Sequence, residues 1–278
     1  MKRGNILLIL SFLCLYLSAQ ERDSIPFNRH TTHATLFGVG TSNLFDTYLS
    51  PVTYKGPHVS VMHESLRKTH WCEGRISTQS IFDGFISYAT NKPGNANEVG
   101  AMLNYSVGWH YNWTVANKLH ILAGGHLHAG CGATYHTRNS NNPVQAKAEI
   151  DLGASFIAIY PFHIRQQPFT VRYQFNIPLI GAMFSPQYGQ SYYELSQTGY
   201  NHNICATYLG NAPSMRHLLT LDFPLNRFTF RIGYLCDIRQ SHVNNLKSHT
   251  WNHSLMIGYV KHFSFVKRKE KQHQSFIM

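Results

Sequence analysis

The sequence predicts an all-β fold: a single antiparallel transmembrane β-barrel of about ten strands over residues 20–265. Three observations carry this expectation. The stretch FTVRYQFNIP sets Phe169, Val171, Tyr173, Phe175 and Ile177 against Thr170, Arg172, Gln174 and Asn176. That period of two marks a strand with one apolar and one polar face. The chain opens on Met1-Lys2-Arg3, an apolar run from Ile6 to Leu17, then Ser18-Ala19-Gln20, the pattern of a secretory signal over residues 1–19. Similar strands recur an even number of times, and the links between them alternate short and long. Behind an export signal, such strands turn apolar faces to lipid and polar faces to a lumen.

Taken in order, the strands fall at about 30–40, 58–66, 71–89, 99–113, 118–135, 146–160, 169–183, 215–223, 227–239 and 251–265. The first ends at a Tyr- and Pro-rich segment, 41–56. Asn91-Lys92-Pro93-Gly94-Asn95 and Asn139-Ser140-Asn141-Asn142-Pro143 are loops by composition. The longest link, 184–214, holds FSPQYGQSYYEL. The links after even-numbered strands are the short ones, which places short turns and both termini in the periplasm and long loops outside. Twelve strands stay open if 41–56 and 184–214 pair further. Gly124, Gly125, Gly130 and Gly132 suggest bending or close packing of lumen side chains in the fifth strand.

Composition agrees with this class. No segment after the signal reaches the ~18 apolar residues of a membrane helix, and alternation keeps the mean hydropathy at -0.24. Aromatic residues make up 13% of the chain, enough for interfacial girdles, and charged residues only 13%. The net charge of +11 comes from scattered basic residues, with one dense run, Lys267-Arg268-Lys269-Glu270-Lys271, in a basic periplasmic tail at 266–278. An exported chain does not meet nucleic acid, so outer-membrane lipids are the expected partners of this charge. The barrel-assembly machinery is another, because Gly258, Phe263 and Phe265 resemble an assembly signal. Phe12-Leu13 before Cys14 lacks the small residues of a lipidation site. By alternation Cys131 and Cys236 face lipid on separate strands, while the pairing of Cys72 with Cys205 stays open.

The segments NLFDTYLSPVTYKG (Asn43 to Gly56) and GAMFSPQYGQSYYE (Gly181 to Glu194) resemble a family of exported Gram-negative barrels known as domain of unknown function 3316. The resemblance implies the barrel fold and an envelope location over nearly the whole mature chain. It implies no activity and no catalytic residues.

Parity assigns Glu64, Arg75, Asp83, Glu149, Asp151, Arg172, Arg216, Asp222, Arg231 and Asp237 to the lumen. A barrel of about ten strands encloses little beyond its own side chains, so a paired polar plug is expected rather than a wide pore. No metal or other cofactor is expected. His126 and His128, two apart on one strand face, are the residues that would reach a metal if one were held, with His120 and His110 near them. The expected ligand-binding loops carry Asp46, Tyr48, Tyr188, Tyr192, Tyr193 and Glu194, folded over the barrel mouth to meet a small ligand or an envelope protein. The functional expectation is a structural, ligand-binding or narrow-transport envelope protein. The alternative is a lipid-active hydrolase or acyltransferase using Ser185 or Ser191 with His202 and Glu194. A secreted lipocalin-like carrier, with its apolar faces inside, is a third class.

Overall fold

The computed structural model describes residues 29–115, 118–198, 202–225 and 228–265. The expected export signal and basic tail lie outside the described residues. Eleven strands and one short helix follow in order: β1 (Arg29–Asp46), β2 (Ser50–Lys68), β3 (Ile76–Asn91), β4 (Asn97–Val115), β5 (Leu119–His136), β6 (Val144–Ile164), β7 (Gln167–Phe184), α1 (Tyr192–Thr198), β8 (Ile204–Tyr208), β9 (Met215–Leu225), β10 (Phe228–Val243) and β11 (Leu246–Phe265). Every pairing is antiparallel. The order β6-β5-β4-β3-β2-β1-β11-β10-β9-β7 closes through β6–β7, which makes a closed ten-stranded barrel. Strand β8 is extra: it pairs only with the upper end of β7. The twelve-strand alternative is thereby replaced by ten crossings and one appended strand.

Side-chain direction follows the predicted alternation. Outward residues such as Val39, Ile86, Ile150 and Leu255 are apolar and exposed, Leu255 by 68%. A closed barrel with such an exterior is a transmembrane barrel. Trp109, Tyr111, Trp113 and Tyr160 gather toward the rim where β1 begins and β11 ends, here called the lower rim. On β1 and β2 the outward residues change from Phe37, Val39, Val59 and Val61 to Thr41, Lys55 and Thr53 on approaching the upper rim.

Barrel strands other than β9 run 16 to 21 residues. At a rise of about 3.3 Å and a tilt near 40° they stand roughly 40–50 Å tall, against an apolar band of about 25 Å. The surplus explains the fate of segment 41–56: it continues β1 and β2, leaving only Thr47, Tyr48 and Leu49 as the turn. Asp46 sets that turn by accepting the Tyr48 N–H on its side chain at 3.1 Å and the Leu49 N–H on its carbonyl at 3.0 Å. The β10–β11 link shrinks likewise to Asn244 and Asn245, whose φ of 50° and 60° suit a tight hairpin with the right-handed twist of its strands.

At the lower rim, Trp71–Gly74 forms a 3-10 turn and β3 starts at Ile76, later than the expected start at Trp71. Cys72 and Glu73 there take positive φ, so alternation does not extend back through them. The four cysteines of the described residues are free. Cys72 lies at the lower rim and Cys205 in β8 at the upper, which rules out a bridge between those two.

Candidate functional site

The lumen is divided in two by a layer that alternation alone did not reveal. Leu36, Met62, Ile81, Leu218, Leu235 and Met256 point inward, buried, and pack as one cluster. On β3, Ile81 sits between Gln79 and Asp83; on β9, Leu218 sits between Asp222 and Arg216; on β10, Leu235 sits between Arg231 and Asp237. An apolar septum thus separates a lower polar layer from an upper one.

The lower layer is built around Glu64. Arg172 donates to both of its carboxylate oxygens, at 2.6 and 2.5 Å, and Arg231 adds a bond at 3.0 Å. Arg231 also holds Asp222 through two bonds, at 2.6 and 2.7 Å. Gln79 donates to Glu64 at 2.6 Å and exchanges amide bonds with Gln174. In the strand order, β2 and β7 are five steps apart in either direction. The Glu64–Arg172 pair therefore crosses the barrel along a diameter. Two acids face two bases, so the layer is neutral. Below it a cavity of about 280 Å³ opens between Thr32, Pro168, Thr229 and His262.

The upper layer has a second diametral pair. Arg216 on β9 donates to Asp83 on β3 at 2.8 Å, again five strands away in either direction. Asn104 supports Asp83 at 3.0 Å. Arg239 is bonded to Glu149, lies 3.4 Å from Asp237, and reaches His128 at 3.3 Å. His128 also shares a 2.8 Å bond with Asp151, and His126 stands 4.0 Å from the same carboxylate. Asp151 Oδ1, His126 Nδ1 and one terminal nitrogen of Arg216 are buried without a hydrogen-bond partner. A cavity of about 110 Å³ is lined by His126, His128, Asp151, Arg216, Asp237 and Arg239.

The upper rim is covered by a cap. Tyr48 and Tyr192 meet edge to face at 6.1 Å. The Tyr48 hydroxyl donates to the Gln190 carbonyl at 2.9 Å, and the Tyr192 hydroxyl accepts the Ala146 N–H at 2.7 Å. Burial, reinforced by Tyr192, Asp46 and Glu194, pushes the Tyr48 phenol up to about 12; burial raises Tyr192 as well. Asp46 lies beneath, 3.7 Å from Lys147. Close by, Glu98 is fully buried with neither carboxylate oxygen hydrogen-bonded.

These positions sort the residues singled out from the sequence. Glu64, Asp83, Glu149, Asp151, Arg172, Arg216, Asp222, Arg231 and Asp237 form the two layers. Arg75 does not join them: it follows the 3-10 turn and donates to the outward Tyr111 hydroxyl at 3.1 Å. The left-handed residues just before it interrupt the parity that had pointed it inward. Arg239, missing from the sequence reading, shares the parity of Arg231 and Asp237 and takes the inward place. Among the loop residues Asp46, Tyr48 and Tyr192 come together, whereas Tyr188 and Tyr193 are 72% and 75% exposed. Ser191 and Glu194 do something else: the Ser191 N–H donates to the Glu194 carboxylate at 2.8 Å, and the Glu194 N–H donates to Ser191 Oγ at 3.2 Å. This reciprocal pair is a capping box that starts α1. Ser185 Oγ donates to the Pro186 carbonyl at 3.2 Å, and His202 is exposed. His110 binds Ser155 at 2.8 Å and His120 binds Thr114 at 3.2 Å, apart from the His128–Asp151 pair. Among the described residues no group of three or more His, Cys, Asp or Glu side chains is placed to hold a metal.

These features define a transmembrane barrel whose lumen holds two polar layers on either side of an apolar septum. The chain belongs to the family described as protein of unknown function (DUF3316), which matches residues 6–270. No curated protein matches it in sequence. Among solved structures, the outer membrane protease OmpT from Escherichia coli is similar at 6% identity and a TM-score of 0.47, over 89% of this chain and 100% of that one. The translocator domain of the autotransporter NalP from Neisseria meningitidis is similar at 10% identity and 0.37, over 92% and 97%. An outer membrane channel from Pseudomonas putida F1 shows 8% identity and 0.37, over 88% and 100%.

Proposed function

We infer that this chain is a non-conducting outer-membrane barrel that binds a ligand in its upper half, rather than a pore. The observation that supports this most is the diametral Glu64–Arg172 pair, directly beneath the apolar septum. An ion crossing the lumen would have to break a buried bidentate pair and enter a layer of Leu, Met and Ile side chains, both costly in a low-dielectric interior. With the lower half closed, the upper cavity under the Tyr48–Tyr192 cap is the place where a ligand can be held, and the upper rim is the outer face of the membrane. In planar lipid, the refolded full chain is expected to give no discrete current steps while showing the heat-modifiable gel migration of a folded barrel. Steps from the folded wild-type protein would overturn the reading.

A further inference from the structure

The barrel wall has one interrupted seam, and it opens onto the upper layer. Strand β7 pairs with β9 from Thr170↔Asp222 up to Asn176↔Arg216, and with β8 only from Ile180↔Tyr208 upward. Ile177, Pro178 and Leu179 therefore have no strand partner on that side. Pro178 carries no N–H, so one of the missing bonds is never required there. On the other edge of β7 the register to β6 shifts: Leu152 opposes Ile180 and Gly153 opposes Pro178, leaving Leu179 as the additional residue of a bulge. Facing this stretch is a turn over residues 209–214 instead of a strand. Asn211 staples it, accepting the Tyr208 N–H on Oδ1 at 2.8 Å and the His242 N–H on its carbonyl at 2.7 Å.

The 110 Å³ cavity is lined by residues of this seam and by residues of the upper layer. Its outer part is lined by Leu179, Ile180 and Tyr208, which are 44%, 61% and 58% exposed. Its inner part reaches Asp151, Arg216 and Asp237. An apolar entrance on the lipid side thus leads directly to buried charge. The sign of that charge follows from pairing. Lys147 has Asp46 at 3.7 Å, Arg216 has Asp83 at 2.8 Å, and Arg239 is bonded to Glu149. Asp151 and Asp237 are then in excess, Asp237 having only a second, 3.4 Å contact with Arg239 and Asp151 only His128 as a bonded neighbour. Asp151 Oδ1 is buried with no hydrogen bond at all.

We propose that the β7–β9 seam is a lateral binding site for an amphiphile with a primary ammonium head, its chain lying against Leu179, Ile180 and Tyr208 and its head between Asp151 and Asp237. The ammonium supplies three donors and one positive charge to a site with an orphaned acceptor and surplus carboxylate. The chain stays in the membrane, so only the head enters the wall. The inference rests on the lower half of the lumen being plugged, as read above.

The test uses the full-length protein in phosphatidylcholine vesicles. A dodecylamine carrying a diazirine at mid-chain is photolysed and the adducts are mapped by mass spectrometry, beside the same chain ending in a carboxylic acid. Amine adducts are expected to concentrate at residues 177–180 and 208–215, on the order of tenfold over the outward Val59 and Ile86, a ratio one charge-assisted bond suffices to produce. Asp151→Asn and Asp237→Asn, checked for folding by gel migration, should each lower that labelling about tenfold. Labelling spread evenly around the belt, or equal labelling by the acid, would overturn the proposal without any variant. Either result in a protein that remains electrically silent leaves the plug reading intact, whereas current steps overturn the plug itself.

Discussion

The two polar layers of the lumen are made of the same residue types yet end in opposite states. In the lower layer Glu64 and Asp222 meet Arg172 and Arg231, charge for charge, with bonds of 2.5 to 3.0 Å. The wall around it is continuously laddered, β7 to β9 included. In the upper layer the carboxylates outnumber their cations, Asp151 Oδ1, His126 Nδ1 and a terminal nitrogen of Arg216 lack partners where the ion-paired lower residues leave only Arg172 Nε, and the same pair of strands parts. A buried charge layer that is matched and fully walled serves closure; one that is unmatched and open at the side is suited to holding something else.

The largest expected effect tests the matched layer. Arg172→Ala leaves Glu64 to share Arg231 with Asp222, and should cost about 3–5 kcal/mol in urea unfolding from vesicles, the range for removing one partner of a buried pair. Asp237→Asn in the upper layer removes a surplus carboxylate and should cost under about 1 kcal/mol or stabilise. Equal losses at the two sites would dissolve the distinction.

A smaller effect sharpens the upper layer. A Cβ at position 153 would collide with the His126 ring and the Ile177 carbonyl, so the glycine lets β6, β7 and the histidine approach at the bulge. Gly153→Ala should therefore cost about 1–3 kcal/mol and shift His126, read from its imidazole resonances. An unchanged unfolding curve and unchanged resonances would mean that the approach is not tight.

The smallest effect concerns the cap above. Tyr48 titrates near 12 when the cap is closed, above the ordinary phenol value of 10. Because the folded value is the higher one, closure is fully favoured below pH 10 and is lost as pH rises through 12. Proteolytic nicking within residues 187–194 should rise across that interval in the wild type. The tyrosinate absorbance that Tyr48→Phe removes should appear near pH 12; its appearance near 10 would place Tyr48 outside a closed cap.

Much of the fold was legible because alternation at period two is a local property. Thr170, Arg172, Gln174 and Asn176 announce their face through immediate neighbours, and the same rule placed Glu64, Asp83 and Asp237. It misplaced Arg75, since three left-handed residues at a turn, Cys72, Glu73 and Gly74, erase parity. It also did not reveal the septum: parity points Ile81 and Leu235 inward, but that their apolar side chains meet across the lumen follows only from closure of the sheet. Segment 41–56 has the Tyr and Pro content of a loop, yet barrel closure pairs it on both sides and carries the strands past the membrane.

What the sequence determined by itself is the membrane-spanning barrel, because strand period and even strand count are written in contiguous residues. What only the tertiary structure decided is which charges meet. Glu64 and Arg172 are 108 residues apart, and Asp83 and Arg216 are 133. Their partnership depends on closure of the sheet at β6–β7, which puts β2 opposite β7 and β3 opposite β9. The seam was hidden for the same reason: a gap between β7 and β9 exists only once a neighbouring strand has been assigned to each stretch of β7.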